Sequence, residues 1–147
     1  SFILVLDGIG DPGNVGTLVR SACAAGATHI VATQGSADPY GPKAVRASAG
    51  GTFFLPPLVS TREELITVCQ SQNIPLVVAA AHEGQNCFSF RWPPNYALVL
   101  GHETRGISPE LENAATARVT IPIEGKVESL NVAAAGAVLL FAARYSR

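Results

Sequence analysis

Four stretches of this chain hold residues whose types and spacing could do chemistry. The first, Gly8-Ile9-Gly10-Asp11-Pro12-Gly13, matches G-x-G-x-x-G, which in a dinucleotide fold leads a strand into a helix and lets backbone approach a pyrophosphate. Pro12, however, lacks the N–H that a pyrophosphate would engage, and Ala32-Thr33-Gln34 at the end of the next strand lacks the acid that grips a ribose. A Gly/Pro/Asp turn capping a helix accounts for the same residues. The second stretch pairs Asn14, at the helix mouth, with Arg20. Six residues apart, they are not stacked neighbours on a helix, and an arginine in an apolar helix usually snorkels to solvent. The third, Gly101-His102-Glu103-Thr104-Arg105-Gly106, directly follows an apolar strand, where open α/β sheets bind their ligands. His102 there is either a titrating base or a structural or exposed histidine. The fourth is Ile121-Pro122-Ile123 followed by Ser129-Leu130-Asn131, in which Ser129 is a natural N-cap. Three strand-end loops rich in Gly, Ser, Asn and Glu suggest one ligand pocket.

The elements that must position these residues alternate between strand and helix. Phe2–Leu6 predicts a strand, and Asn14–Ala25 a helix with Val15, Leu18, Val19 and Ala22 on one face and Gly26 as its stop. Thr28–Ala32 is the next strand, followed by a short helix around Lys43–Ala47 and a brief strand Phe53–Leu55 before Pro56-Pro57. Thr61 and Glu64 form a capping box that opens a helix running to about Gln72. Pro75–Ala80 and Tyr96–Leu100 are continuous apolar runs of the kind buried on both faces of a parallel sheet. Ser108-Pro109 opens a helix through Ala115, Val119–Ile123 is the last strand, and a final helix covers Leu130 to Tyr145. The class is α/β, with a mainly parallel sheet and helices on both faces.

Composition narrows the function classes. At 147 residues the chain is one domain, and 48% hydrophobic against 14% charged residues lets it bury a core that disordered chains lack. Ten Lys and Arg against eleven Asp and Glu give a net charge of −1, which argues against a general electrostatic grip on nucleic acid but not against a local basic site. Methionine is absent and Ser1 opens inside an apolar run; the expectation is that residues 1–147 form the C-terminal part of a longer protein. No basic n-region marks a signal peptide, and the apolar tract Val132–Ala143 is too short to span a bilayer. Cys23, Cys69 and Cys87 are odd in number without C-x-x-C spacing, so the expectation is reduced thiols, no metal site and a cytoplasmic protein, or an organellar one in a eukaryote.

Taken in order, the stretches resemble a known family. Asp11-Pro12-Gly13-Asn14-Val15-Gly16-Thr17-Leu18-Val19-Arg20-Ser21-Ala22 is similar to the first motif of the SpoU (TrmH-type) RNA ribose methyltransferases of the SPOUT superfamily. Leu98–Ser108 resembles the second, and Ile121–Gly125 with Glu128–Ala133 the third. Ala47-Ser48-Ala49-Gly50-Gly51 fits a segment common between the first two. The resemblance implies a C-terminal trefoil knot, a homodimer, and S-adenosylmethionine held largely by backbone at Leu100, Gly101, Ile121, Pro122, Ile123, Ser129 and Leu130. It implies methyl transfer to a ribose 2′-hydroxyl, with Arg20 central and Asn14, Glu103, Ser129 and Asn131 completing the site. Because a guanidinium stays protonated, Arg20 is read as gripping a phosphate and stabilising alkoxide charge. The RNA is ribosomal in the first instance and transfer RNA in the second, with Lys43, Arg46, Arg91 and Arg105 as scattered cations. Two other classes stand beside it: a NAD-dependent Rossmann oxidoreductase resting on Gly8–Gly13, and an inactive RNA-binding module, against which intact Asn14, Arg20, Glu103 and Asn131 speak.

Overall fold

The strand Phe2–Asp7 (β1) is buried along its whole length and pairs in parallel on both sides, with His29–Thr33 (β2) and with Tyr96–Gly101 (β6). Leu58–Ser60 (β3), Leu76–Ala79 (β4), Gln85–Asn86 (β5) and Ala117–Thr120 (β7) complete a parallel sheet of order β3-β2-β1-β6-β4-β7-β5. The computed structural model describes residues 1–146. Successive side chains of a strand face opposite ways, and β1 serves two layers for that reason. Phe2, Leu4 and Leu6, with Leu98 and Leu100, pack beneath Pro12–Ala25 (α1) and Val132–Arg144 (α6). Ile3 and Val5, with Ala97 and Val99, meet Leu65 and Cys69 of Arg62–Ser71 (α4) and Leu111 of Pro109–Ala114 (α5). Pro42–Ala47 (α2) and Gly51–Phe54 (α3) lie against α1. The expected α/β class with helices on both faces therefore holds. No helix among the described residues is long and apolar enough to cross a membrane.

Several boundaries differ from the sequence expectation, each for a local reason. Helix α1 starts before Asn14, because the Asp11 carboxylate accepts from the Gly13 and Asn14 N–H groups and Pro12 suits the first turn. Residues 53–55 do not form a strand. Phe53 and Phe54 end α3 and face solvent, and the strand follows Pro56-Pro57, where Leu58 pairs with Val31. Strand β7 stops at Thr120, short of Ile121-Pro122-Ile123; Pro122 has no N–H to continue a ladder. Asn131, not Ser129, caps α6, its Oδ1 accepting from the Ala133 and Ala134 N–H groups at 2.8 and 3.2 Å. Ser108 occupies the N-cap of α5 without a side-chain cap bond, and its Oγ is buried with no hydrogen-bond partner. The capping box of Thr61 and Glu64 forms as expected.

Two glycines set the helix layer. A Cβ on Gly16 would lie 2.2 Å from the Ala44 carbonyl oxygen, and one on Gly136 would lie 2.3 Å from Leu18 and 2.8 Å from Leu100. At the far end of β1, the carboxylate of Asp7 is 1% exposed and gathers three neighbours. Its Oδ1 accepts from Arg62 Nε at 2.8 Å and from Thr33 Oγ1 at 3.0 Å, and its Oδ2 from the Ser108 N–H at 2.7 Å. Arg62 also donates to the Gln34 carbonyl at 3.1 Å. Removing one member of a buried ion pair leaves the rest uncompensated, at about 3 kcal/mol or more. Asp7→Ala should therefore lower the free energy of urea unfolding by about that much, whereas an unchanged midpoint would show that the cluster contributes nothing to stability.

Candidate active site

Beyond the carboxyl ends of β4, β6 and β7 lies a cavity of about 270 Å³. Of the residues singled out for a cofactor, Leu100, Gly101, Ile121, Ile123, Ser129 and Leu130 line it, together with Ala79, Ala80, Val132 and Leu139. Pro122 does not; it stands exposed between the two isoleucines. The wall turns sharply after β6 because position 101 has no room for a side chain: a Cβ there would lie 2.4 Å from the Gly106 carbonyl carbon. His102 and Gly106 close the turn with two backbone hydrogen bonds of 3.0 Å. His102 Nδ1 accepts from the Thr104 and Arg105 N–H groups at 3.0 and 3.1 Å, which places the ring proton on Nε2. His102 thus shapes the turn.

The turn presents Glu103 to the start of α1. Glu103 Oε1 accepts from the Gly10 N–H at 3.2 Å, and Oε2 from the Asp11 N–H at 3.0 Å and Asn14 Nδ2 at 3.4 Å. Asn14 Oδ1 in turn accepts from Asn131 Nδ2 at 3.3 Å. Three of the five expected catalytic residues therefore form one chain, Asn131 to Asn14 to Glu103, with every amide orientation set by a partner. Ser129 sits in the cavity wall. Arg20 stands apart: it is exposed on α1, outside the cavity, and makes no hydrogen bond or ion pair among the described residues.

The dinucleotide reading of Gly8–Gly13 fails on its donors. The Gly8 N–H goes to Thr33 and Ser36, those of Gly10 and Asp11 to Glu103, and that of Gly13 to Asp11. The N–H groups of all three motif glycines are thus engaged by the protein's own side chains rather than turned to a pyrophosphate. The sequence reading also missed Asp7 and Arg62. An acid closing a wholly apolar strand is a signal that could have found Asp7, since such an ionised group must be paired when buried; no pattern marks Arg62.

Comparison with known proteins decides the family, since residues 1–141 match the model of the SpoU rRNA methylase family. The chain belongs to this family. Among its relatives, a 23S rRNA guanosine 2′-O-methyltransferase of Bacillus subtilis is 30% identical over 95% of this chain and 56% of its own length. The SpoU methyltransferase AviRb of Streptomyces viridochromogenes, solved in complex with AdoMet, superposes with a TM-score of 0.92 at 32% identity, over 97% of this chain and 56% of that one. A TrmH-family RNA methyltransferase structure from Porphyromonas gingivalis gives 0.89 at 41% identity, over 97% and 59%. The chain spans about half the length of these relatives.

In this SpoU-family site, burial alone raises the Glu103 pKa. The N–H groups of Glu103 itself, Gly10 and Asp11, with the Asn14 amide, outweigh it and hold the carboxyl below its ordinary value of 4.5. A depressed folded-state pKa stabilises the fold fully above the unfolded value, and that stabilisation is lost as pH falls through the folded one. The difference in thermal stability between the wild type and Glu103→Gln should be flat from neutrality to about pH 5 and shrink below it. A difference that instead grew on acidification would contradict the ionised, hydrogen-bonded carboxylate.

Proposed function

We propose that this chain carries the catalytic domain of an RNA 2′-O-ribose methyltransferase that uses S-adenosylmethionine. The observation that carries the reading is the Asn131–Asn14–Glu103 chain at the mouth of an apolar, backbone-lined cavity. The cavity fits such a cofactor by its chemistry: aliphatic walls from Leu100, Ile121, Ile123, Leu130 and Leu139 suit an adenine ring, and the tight turn at Gly101 brings strand-end carbonyl and N–H groups to its edge. When bound, S-adenosylmethionine supplies an electrophilic methyl group on its sulfonium.

The chain's own residues then position the acceptor. Glu103 keeps its charge at neutral pH and fixes the Asn14 amide, while Ser129 presents a hydroxyl in the cavity wall. Arg20 lies six residues, about 9 Å of helix, beyond Asn14. Its exposure and lack of a protein partner support gripping a phosphate of the RNA, and of its two expected roles this is better supported than stabilising an alkoxide. The relatives named as 23S rRNA methyltransferases favour ribosomal RNA over transfer RNA. A homodimer, the trefoil knot of the family, a cytoplasmic location and a longer parent protein belong to the same reading. The exposed Phe141 and Tyr145, stacked on α6 with ring centroids 6.2 Å apart, support α6 as the face for a second copy.

Calorimetric titration with S-adenosylmethionine should give one site per chain, with NAD as a silent control; binding of NAD in its place would overturn the reading. In methyl-transfer assays on ribosomal RNA, Arg20→Lys should retain part of the activity and Arg20→Ala almost none. Equal activity in the two variants would remove the phosphate grip from the mechanism.

A further inference from the structure

The most exposed large apolar side chains of the molecule, Phe53 at 77% and Phe54 at 85%, stand side by side at the end of α3. Along the chain between Asp11 and Glu63 the only acidic residue is Asp38; Asp11 itself marks the far end of the surface, its Oδ1 3.1 Å from where a Cβ on Gly13 would be. The cations in that stretch are arranged by the packing of α1 on α2 and α3. Lys43 Cε lies 3.7 Å from where a Cβ on Gly13 would be, Gly16 abuts Ala44 and Ala47, and a Cβ on Gly51 would lie 3.5 Å from the Arg20 Cα. The two segments therefore run alongside each other in the same direction, from the turn that holds Asn14 toward the phenylalanines. Lys43 and Arg46, three residues apart on α2, share one flank. Both are exposed, and neither pairs with a carboxylate among the described residues.

We propose that α1, α2 and α3 form a docking surface for single-stranded RNA. Unpaired bases beside the modified nucleotide stack on Phe53 and Phe54, while Lys43 and Arg46 hold the intervening phosphates. The inference rests on the RNA methyltransferase reading and extends it to how the strand is held. Stacking on exposed aromatic rings flanked by cations is the physics by which unpaired nucleic acid is gripped without reading sequence. Charge complementarity chooses this occupant over a protein: the cores of protein interfaces are depleted in lysine, whereas here Lys43 and Arg46 stand exposed on the helix that precedes the rings, with no carboxylate paired to them among the described residues. The strip also starts one residue from Asn14, so a strand lying on it passes the cavity mouth.

The test measures binding of a fluorescein-labelled single-stranded RNA of about twelve nucleotides by anisotropy, with cofactor affinity by calorimetry and molar mass by light scattering on the same samples. Phe53→Ala/Phe54→Ala should weaken RNA binding on the order of ten-fold or more, with cofactor affinity and mass unchanged. Phe54→Trp should keep the affinity, and its fluorescence should be quenched as bases stack. Lys43→Ala should flatten the dependence of log K on log salt by about 0.7, the contribution of one phosphate contact on a single strand. Unchanged RNA affinity in the double variant, or no RNA binding by the wild type, overturns the proposal. A drop in mass in the double variant also overturns it, by assigning the rings to a contact between copies. Failure of the wild type to bind S-adenosylmethionine strikes the methyltransferase reading alone, because RNA affinity is read independently of it.

Discussion

The functional end of this molecule depends on one buried carboxylate. Asp7 closes the central strand, and its two oxygens take donors from the end of β2, the start of α4 and the start of α5. Those segments lie far apart in sequence, and nothing apolar at the sheet's edge could fix their relative positions, because loops present polar backbone rather than side-chain bulk. An ion pair with donors on both oxygens can do so, at a desolvation cost that the hydrogen bonds offset. Gly8, next in the chain, is tied to Thr33 and Ser36 by its N–H. From there the backbone reaches Gly10 and Asp11, whose N–H groups meet Glu103. The site is thus referenced to the sheet through Asp7.

A second constraint comes from small side chains. The helices sit close to one another and to the sheet because Gly16 leaves room for Ala44 of α2, and Gly136 for Leu18 of α1 and Leu100 of β6. That proximity lets Asn131 on α6 reach Asn14 on α1 at 3.3 Å. The side-chain amides then act as rigid spacers: Asn131 is already committed to capping α6, so its Nδ2 points toward α1, and Asn14 passes the orientation on to Glu103. Capping and site geometry are served by the same atoms.

Most strands were legible in the sequence because a strand buried on both faces writes itself as an uninterrupted apolar run, as in Phe2–Leu6 and Tyr96–Leu100. Where the apolar residues were not buried, the inference went astray: Phe53-Phe54-Leu55 reads as strand, and the exposed rings belong to a helix. Strand β5, two exposed polar residues, carries no pattern at all. Caps were misplaced by two or three residues at Asn14 and Ser129 because Asp11 and Asn131, equally good capping types, stood nearby. The site residues were legible only through three ordered motifs. Spacing alone left Asn14, Glu103 and Asn131 as unrelated residues, since the contacts joining them bridge 89 and 117 positions of chain. The detachment of Arg20 from the cavity had no trace in the sequence.

The pairing of β1 with β6 has a consequence for how the protein assembles. Phe2 lies opposite Tyr96 and Leu6 opposite Leu100, so one edge of the first strand waits for a partner some ninety residues later, although β2 and α1 reach it sooner. Helix α6 cannot seat earlier, because its floor at Gly136 consists of Leu18 from α1 and Leu100 from β6. Loop-closure entropy of this kind must be met before the contacts repay it, which places such topologies among slow folders. During synthesis α1 and β2 can meet β1 early, but its β6 edge and the part of its face under α6 stay open until most of the domain has followed. The molecule is therefore most vulnerable to aggregation as a nascent chain, before the last helix closes over the sheet.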